Sequence, residues 1–411
     1  MSRCDNEDEV GIEDGIVVRL PPKWMTPISD DGELSDVVIA TPIIYDGNFL
    51  TGSRKNSGRA ILSINSDDGR VNWQWNDLLE LLTVPGYKDP LTLYKKSYHQ
   101  YNGLLFFTYT GSSYCLDLSK GQTVWKNKYV RHRFDRNEGF GDTYFTSGCN
   151  YEPIDEEKIY TGSISSPNAE ELLVIPEYTM VADPPVNARG SITQLTAFDA
   201  NGMMYLAFGI ENPYKDFTNS GWGLTELNLY NLTRQRYEYK KVVIDPRFET
   251  RFIGDLLYDD SRLYFQSAKY IHSYDAISGK QLWRTLVEAP PLLSSMLLVD
   301  KKLYSAGEDR FLYCLDAQSG RLLWKEQNTG TCSELSYLNG VLYYLGGGDG
   351  LLHAVDANTG KHLWKIASPD LSKNSGAWFY GGCTAIPGRN GDKGVVVATT
   401  GLHAIAYEAI R

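Results

Sequence analysis

The sequence predicts an all-β fold, a ring of eight four-stranded blades, and three observations carry that expectation. One phrase is written three times: SYDAISGKQLW ending at Trp283, CLDAQSGRLLW at Trp324 and AVDANTGKHLW at Trp364. Its aspartates, Asp275, Asp316 and Asp356, recur at intervals of 41 and 40 residues, a period of stacked supersecondary units. The composition suits many short strands joined by tight turns, with 12% aromatics, 38 Gly and 28 Tyr in 411 residues.

Each copy reads apolar strand, Asp, two residues, Ser or Thr, Gly, a basic residue, two residues, Trp. Asp and Ser/Thr side chains bond nearby backbone N–H groups and Gly takes the positive φ of a tight turn, so Gly279, Gly320 and Gly360 are expected at hairpin tips. The Trp falls on the second strand of that hairpin. A large ring repeated once per unit anchors neighbouring units, because a single unit is too small to bury both faces of its sheet.

In chain order, residues 1–15 are acidic and poor in apolar side chains, which reads as a disordered leader ahead of one domain spanning 16–411. Cys4, just before the acidic run, is a candidate for lipidation on a chain whose signal peptide is absent; Arg3 is a poor residue in front of such a cysteine. From Ile16 to Ile28 an alternating segment carries Trp24 with no hairpin of its own. Such a strand completes the last blade of a closed ring and removes its open edge.

Blade one contains Asn65, Gly69 and Trp73 at the repeat spacing, and blade two contains Asp117, Gly121 and Trp125; an insertion between them has room for a short helix. The phrase then decays. CNYEPIDEEKIYTGSIS and EELLVIPEYT are assigned to blade three, and SITQLTAFDANGMMYLAFG with GLTELNLYNLTRQRYEYKK to blade four, where Asn228 takes the Asp place and Tyr237 falls near the Trp place. Blades five, six and seven start near Phe252, Leu292 and Cys332, and blade eight lacks a final Trp strand, which Trp24 supplies. Seven blades is the alternative, if three and four form one elaborate unit.

The phrase AVDANTGKHLW resembles the tryptophan-docking motif of the quinoprotein-like β-propellers, in which A-x-D-x-x-T-G-K-x-x-W recurs around an eight-bladed ring. The likeness runs from Trp24 onward, strong in five repeats and weak in three. It implies the fold; for function it leaves quinone-dependent dehydrogenases, envelope assembly scaffolds and propellers of other kinds side by side. The dehydrogenases of that family are similar in carrying a vicinal Cys pair over the quinone, a calcium site and a catalytic Asp. Here the six cysteines are Cys4, Cys115, Cys149, Cys314, Cys332 and Cys383, none adjacent. No cofactor is therefore expected, neither pyrroloquinoline quinone nor calcium.

Cys115 and Cys314 occupy matching places two residues before the Asp and read as buried fillers. Cys149, Cys332 and Cys383 are expected at the starts of innermost strands, as free thiols. His272, His353 and His403 share one repeat position, where other blades have Tyr114 and Tyr313. Held on different blades they cannot meet at one ion, so a packing role is expected. The run Gly346–Gly348 lacks the Lys and helix of a phosphate loop, and Asp67-Asp68-Gly69 fits a hairpin tip better than a calcium loop.

The net charge of −11 argues against nucleic acid or an anionic membrane surface as the main partner, and no apolar run approaches the roughly 20 residues of a spanning helix. Candidate ligand-binding residues lie in two irregular stretches. Arg131–Phe145 offers Arg131, His132, Arg133 and Arg136 with aromatics, and Asn374–Gly382 presents Trp378, Phe379 and Tyr380 consecutively. Aromatics beside Arg and Asn suit a peptide or a sugar ring, although they also serve to plug a channel mouth or cover blade eight. Arg251, Asp255 and Glu334, near the starts of inner strands, are candidates to line the channel. The expected function is a non-catalytic, monomeric scaffold of a bacterial cell envelope, periplasmic or anchored to the outer membrane, binding an envelope protein or an oligosaccharide. The alternative is a quinone-dependent or sugar-active propeller enzyme, which requires carboxylates or an ion converging on one pocket.

Overall fold

The computed structural model describes residues 9–12, 15–18, 20–29, 38–39, 43–55, 58–79, 92–93, 97–109, 112–128, 132–150, 158–174, 178–180, 186–188, 191–212, 224–244, 252–267, 269–288, 296–330, 333–372, 377–389 and 391–411. Within them the chain forms eight antiparallel four-stranded sheets in sequence order. Blade one spans 43–75, blade two 98–128, blade three 132–174, blade four 191–243, blade five 252–286, blade six 297–327 and blade seven 336–366. Blade eight takes three strands from 383–408, and its fourth is Trp24–Pro27, paired antiparallel with His403–Glu408. The ring is thus eight-bladed and closed by its N-terminal strand, as the isolated Trp24 implies.

Each blade starts at its inner strand, and the inner strands of successive blades neighbour one another, for example those of blades two and three, three and four, and four and five. Apolar side chains from facing sheets fill every gap between blades. Phe106, Tyr144 and Ile164 join blades two and three; Phe49, Ile64, Val397 and Ala404 join blades eight and one. No blade has a core of its own, which is why the ring must close to be stable.

The repeated phrase forms the expected hairpins. Asp316 accepts from the Ser319 hydroxyl at 2.6 Å and from its backbone N–H at 2.7 Å, and these bonds hold its carboxyl below the usual carboxylate range. Gly279, Gly320 and Gly360 sit at the tips with φ of 66°, 72° and 78°. The Trp of each hairpin reaches the next blade: Trp73 Nε1 donates to the Leu118 carbonyl, Trp125 to Ile164, Trp283 to Ala317 and Trp324 to Ala357, at 2.9–3.1 Å. The accepting carbonyl belongs to the residue just after the Asp or its equivalent.

Three sequence expectations are corrected. Residues read as the irregular stretch Arg131–Phe145 are regular: His132–Phe140 is the inner strand of blade three, and Thr143–Asn150 is its second strand. Cys149 accordingly lies on the second strand, opposite Arg133, not at the start of an inner one. In blade four the register is three residues later than expected. Asn231, not Asn228, takes the Asp place, accepting from the Arg234 N–H at 2.9 Å, and Tyr239, not Tyr237, takes the Trp place, its hydroxyl donating to the Ala276 carbonyl at 3.2 Å.

Of the stretch read as a leader, Glu9–Ile12 pairs antiparallel with Gly15–Val18. Gly15–Val18 in turn runs parallel to the outer strand of blade seven, His362–Ile366, with Val17 opposite Lys365. Cys4, Cys332, Arg131 and Arg251 lie outside the described residues. Among the described residues the only helix is the 3-10 turn Pro369–Ser372, and no helix is long and apolar enough to cross a membrane.

Candidate functional site

In an antiparallel blade the first-to-second and third-to-fourth turns share one end of the ring, and the second-to-third turns share the other end with the links between blades. The repeated Asp/Gly hairpins occupy the first end. The second end therefore carries the long connections, and Trp378, Phe379 and Tyr380 lie there, in the link from blade seven to blade eight.

These three aromatics do different things. Phe379 is buried in the core between blades seven and eight, edge-on to Tyr407 with centroids 6.4 Å apart. Trp378 and Tyr380 are 53% and 56% exposed. The backbone between them is fixed on both sides: Phe379 N–H donates to the Gly350 carbonyl at 3.3 Å, Tyr380 N–H to the Thr399 carbonyl at 2.8 Å, and the Thr399 hydroxyl to the Tyr380 carbonyl at 2.8 Å. The turn of blade seven leaves space for this arrangement, since a Cβ on Gly350 would come within 2.9 Å of Trp378 Cβ. Burial of Phe379 thus orients its neighbours outward, and two rings face solvent at little further cost in ordering.

Under the same link lies a polar group that the sequence reading passed over. Asp370, fully buried, accepts from the Thr400 hydroxyl at 2.8 Å, and its Oδ2 lies 2.9 Å from His403 Nδ1. The Ser368-Pro369-Asp370 that opens the 3-10 turn was its only trace in the sequence. The sequence reading gives His403 the repeat position of His272 and His353, but Val395 faces Glu408 as Val341 faces Asp356, so Glu408 takes the Asp place and His403 lies five residues before it instead of three. His272 stacks on Phe265 at 5.1 Å and His353 on Tyr344 at 4.7 Å, as Tyr114 does on Phe107 at 5.1 Å, and His353 Nε2 also lies 3.1 Å from Asp349 Oδ1.

Asp255, on the inner strand of blade five, is buried and Glu334, leading into blade seven, is half-buried. Both act on one hydroxyl from blade two. Burial raises the Tyr98 phenol above its ordinary range, and the charges of Glu334 and Asp255 push it in the same direction. Asp255 lies five residues before its inner turn at Asp260, and Glu334 five before Asn339. That shared register was legible in the sequence, whereas Tyr98, one place away on blade two, was not singled out. Both carboxylates also have interaction partners of their own. His132, Arg133 and Arg136 lie along the inner strand of blade three.

The free cysteines Cys115 and Cys314 are buried fillers, as their matching positions imply, and Cys383 is buried at the start of the inner strand of blade eight. Burial pushes the Cys115 thiol up to about 12 and the Cys314 thiol up to about 11. Thiols so far from ionisation are inert packing groups.

The family profile described as outer membrane protein assembly factor BamB matches residues 241–409, which hold blades five to eight. BamB from Moraxella catarrhalis has the same fold, with a TM-score of 0.56 at 10% identity, covering 93% of this chain and 99% of that one. The fold is that of an eight-bladed β-propeller, and its second half matches the BamB family model. Enzymes share the architecture of this propeller. A europium-containing methanol dehydrogenase aligns with a TM-score of 0.61 at 12% identity over 92% of this chain and 84% of that one. The quinohemoprotein alcohol dehydrogenase from Comamonas testosteroni aligns with 0.62 at 12% over 99% and 78%. At such identities these likenesses concern the fold. No curated protein matches the propeller at the level of sequence. Among the described residues no three His, Cys, Asp or Glu side chains converge to hold an ion.

Proposed function

We propose that this propeller is a non-catalytic binding scaffold of a bacterial cell envelope, which holds an envelope protein or oligosaccharide against Trp378 and Tyr380. The observation that carries the reading is the pair of exposed rings on a backbone fixed by Phe379, Gly350 and Thr399. Rigid, exposed aromatics are the residues that dominate binding energy at protein contacts, and they stack equally on sugar faces. The match of blades five to eight to the BamB family supports an envelope setting, in which the propeller acts as a monomer without quinone or calcium. In that setting Cys4 is the site of lipid attachment.

The experiment is a thermal-shift screen of the full chain against envelope oligosaccharides and peptides, with pyrroloquinoline quinone plus calcium as the contrary arm. A ligand that binds only the folded form raises the melting temperature once it is well above its Kd. A rise with a sugar or peptide that disappears in Trp378→Ala supports the scaffold. A rise with quinone and calcium, or binding that persists in the Trp378→Ala, Tyr380→Ala double variant, overturns it.

A further inference from the structure

The propeller covers the outer edge of blade seven with its own chain, and the way it does so points to the neighbouring edges. Gly15–Val18 adds in parallel to His362–Ile366, and Val18 and Leu363 both pack against the core between blades seven and eight. Leu363 is the residue just before the Trp of its repeat. Blades five and six carry leucines at the same place, Leu282 and Leu323, on outer strands that end their sheets. There the leucines are bare, Leu282 and Leu286 being 42% and 56% exposed and Leu322 and Leu323 46% and 37%. The outer strands of blades one to four each expose one smaller valine, Val71, Val124, Val174 or Val243.

A sheet edge is normally kept from pairing by charges that project along it, lysine above all. On these two strands the cation is folded back. The Lys325 ammonium lies 3.8 Å from the centre of the Phe311 ring and pairs with Glu288 at 3.5 Å, and the Arg284 guanidinium lies 4.9 Å from the centre of the Tyr270 ring. Two adjacent blades thus offer unpaired backbone, four bare leucines and tied-back guards, beside an edge where strand addition already takes place.

We infer that the outer strands Gln281–Leu286 and Leu322–Gln327 are docking edges for an extended strand of a partner protein, one with aliphatic residues at alternate positions, entering in parallel as Gly15–Val18 does on blade seven. Backbone hydrogen bonds supply affinity and the leucines select aliphatic side chains. The surface is distinct from Trp378 and Tyr380.

The test is hydrogen–deuterium exchange of the full chain with a synthetic peptide of the sequence GIVVRL, residues 15–20, as the strand probe. The expected result is slowed exchange of amides in 281–286 and 322–327, lost in Leu282→Lys, Leu323→Lys. Leu286→Lys, at the most exposed of the four positions, serves as a second variant with an unchanged melting temperature. Protection confined to 362–366, or none, overturns the inference. So does a dimer, seen by sedimentation without peptide, that the lysine variants dissociate, because the occupant is then a second copy of this chain.

Discussion

Trp24 Nε1 donates to the carbonyl of Ser66 at 2.9 Å, joining residues 42 apart in sequence and the last blade to the first. Thr26 adds a bond from its hydroxyl to the Gly69 carbonyl at 2.6 Å, and the Trp24 ring stacks on Phe49 with centroids 6.0 Å apart. The same geometry at Trp283 and Thr285, bonded to Ala317 and Gly320, makes this seam one more copy of the contact between blades, assembled from opposite ends of the chain.

Trp24→Ala is expected to cost about 3–5 kcal/mol, the range for emptying a buried aromatic site. Trp24→Phe, which keeps a ring but loses the donor, should cost less, about 1 kcal/mol for the hydrogen bond plus the smaller ring's packing. Urea unfolding monitored by far-UV circular dichroism checks both. Equal losses for the two variants would place the closing energy in the hydrogen bond instead of the packing.

In blade four, Tyr239 stands at the place that holds Trp in blades one, two, five, six and seven. Tyr239→Phe removes the hydroxyl that the Ala276 carbonyl accepts and is expected to destabilise by about 1 kcal/mol. Tyr237→Phe keeps its ring contacts with Tyr230 and Lys240 and should stay within about 0.5 kcal/mol of the parent. The two variants compared by thermal melting decide which tyrosine joins blade four to blade five.

The blade count and the ring closure were legible because the Asp, Gly and Trp of each hairpin are local devices with fixed spacing. The inner strand of blade three was not, since HRFDRNEGF is charged along its length and shows no apolar alternation, the sequence mark of a half-buried strand. The three-residue slip in blade four arises because the repeat's Ser/Thr and Gly are missing there, although the eight-residue spacing from Asn231 to Tyr239 was a usable signal that Asn228 lacks, with Arg236 at that distance. At the site, the cluster Trp378–Phe379–Tyr380 was visible as an oddity, but its division into one buried and two exposed rings depends on the core between blades seven and eight. The Asp370–His403 pair joins residues 33 apart with no motif between them.

Gly320 and Gly202 both have φ of 72°. A Cβ on Gly320 would lie 2.6 Å from the Trp283 ring, whereas one on Gly202 meets nothing within 4 Å. Gly202→Ala should therefore cost only the left-handed backbone penalty, about 1–2 kcal/mol. Gly320→Ala adds displacement of Trp283 and is expected to cost clearly more, with a rise in Trp283 exposure read by acrylamide quenching. Equal costs would mean that the ring gives way freely.

His362 supplies the pH dependence. Its Nε2 lies 3.3 Å from the Gln327 carbonyl, and its Nδ1 is buried against the next histidine, His353, with ring centroids 5.4 Å apart. Burial first, then the neighbouring His353 and Lys365, pushes its pKa down to about 4, from 6.5 for an ordinary histidine. The unfolded chain takes up this proton near 6.5 and the folded chain only near 4, so the unfolded state binds more protons between those values. Stability is accordingly full above pH 6.5, falls as the pH drops towards 4, and stops falling on this account below it. The full shift corresponds to about 3 kcal/mol, and partial solvent access at His362 brings the expected loss to about 1–2 kcal/mol. Urea midpoints of the parent and of His362→Gln, measured from pH 7 to pH 4, test this. Glutamine has no proton to gain in that window, so the variant should lose less stability than the parent over the same range, and parallel curves would assign the acid sensitivity to other groups.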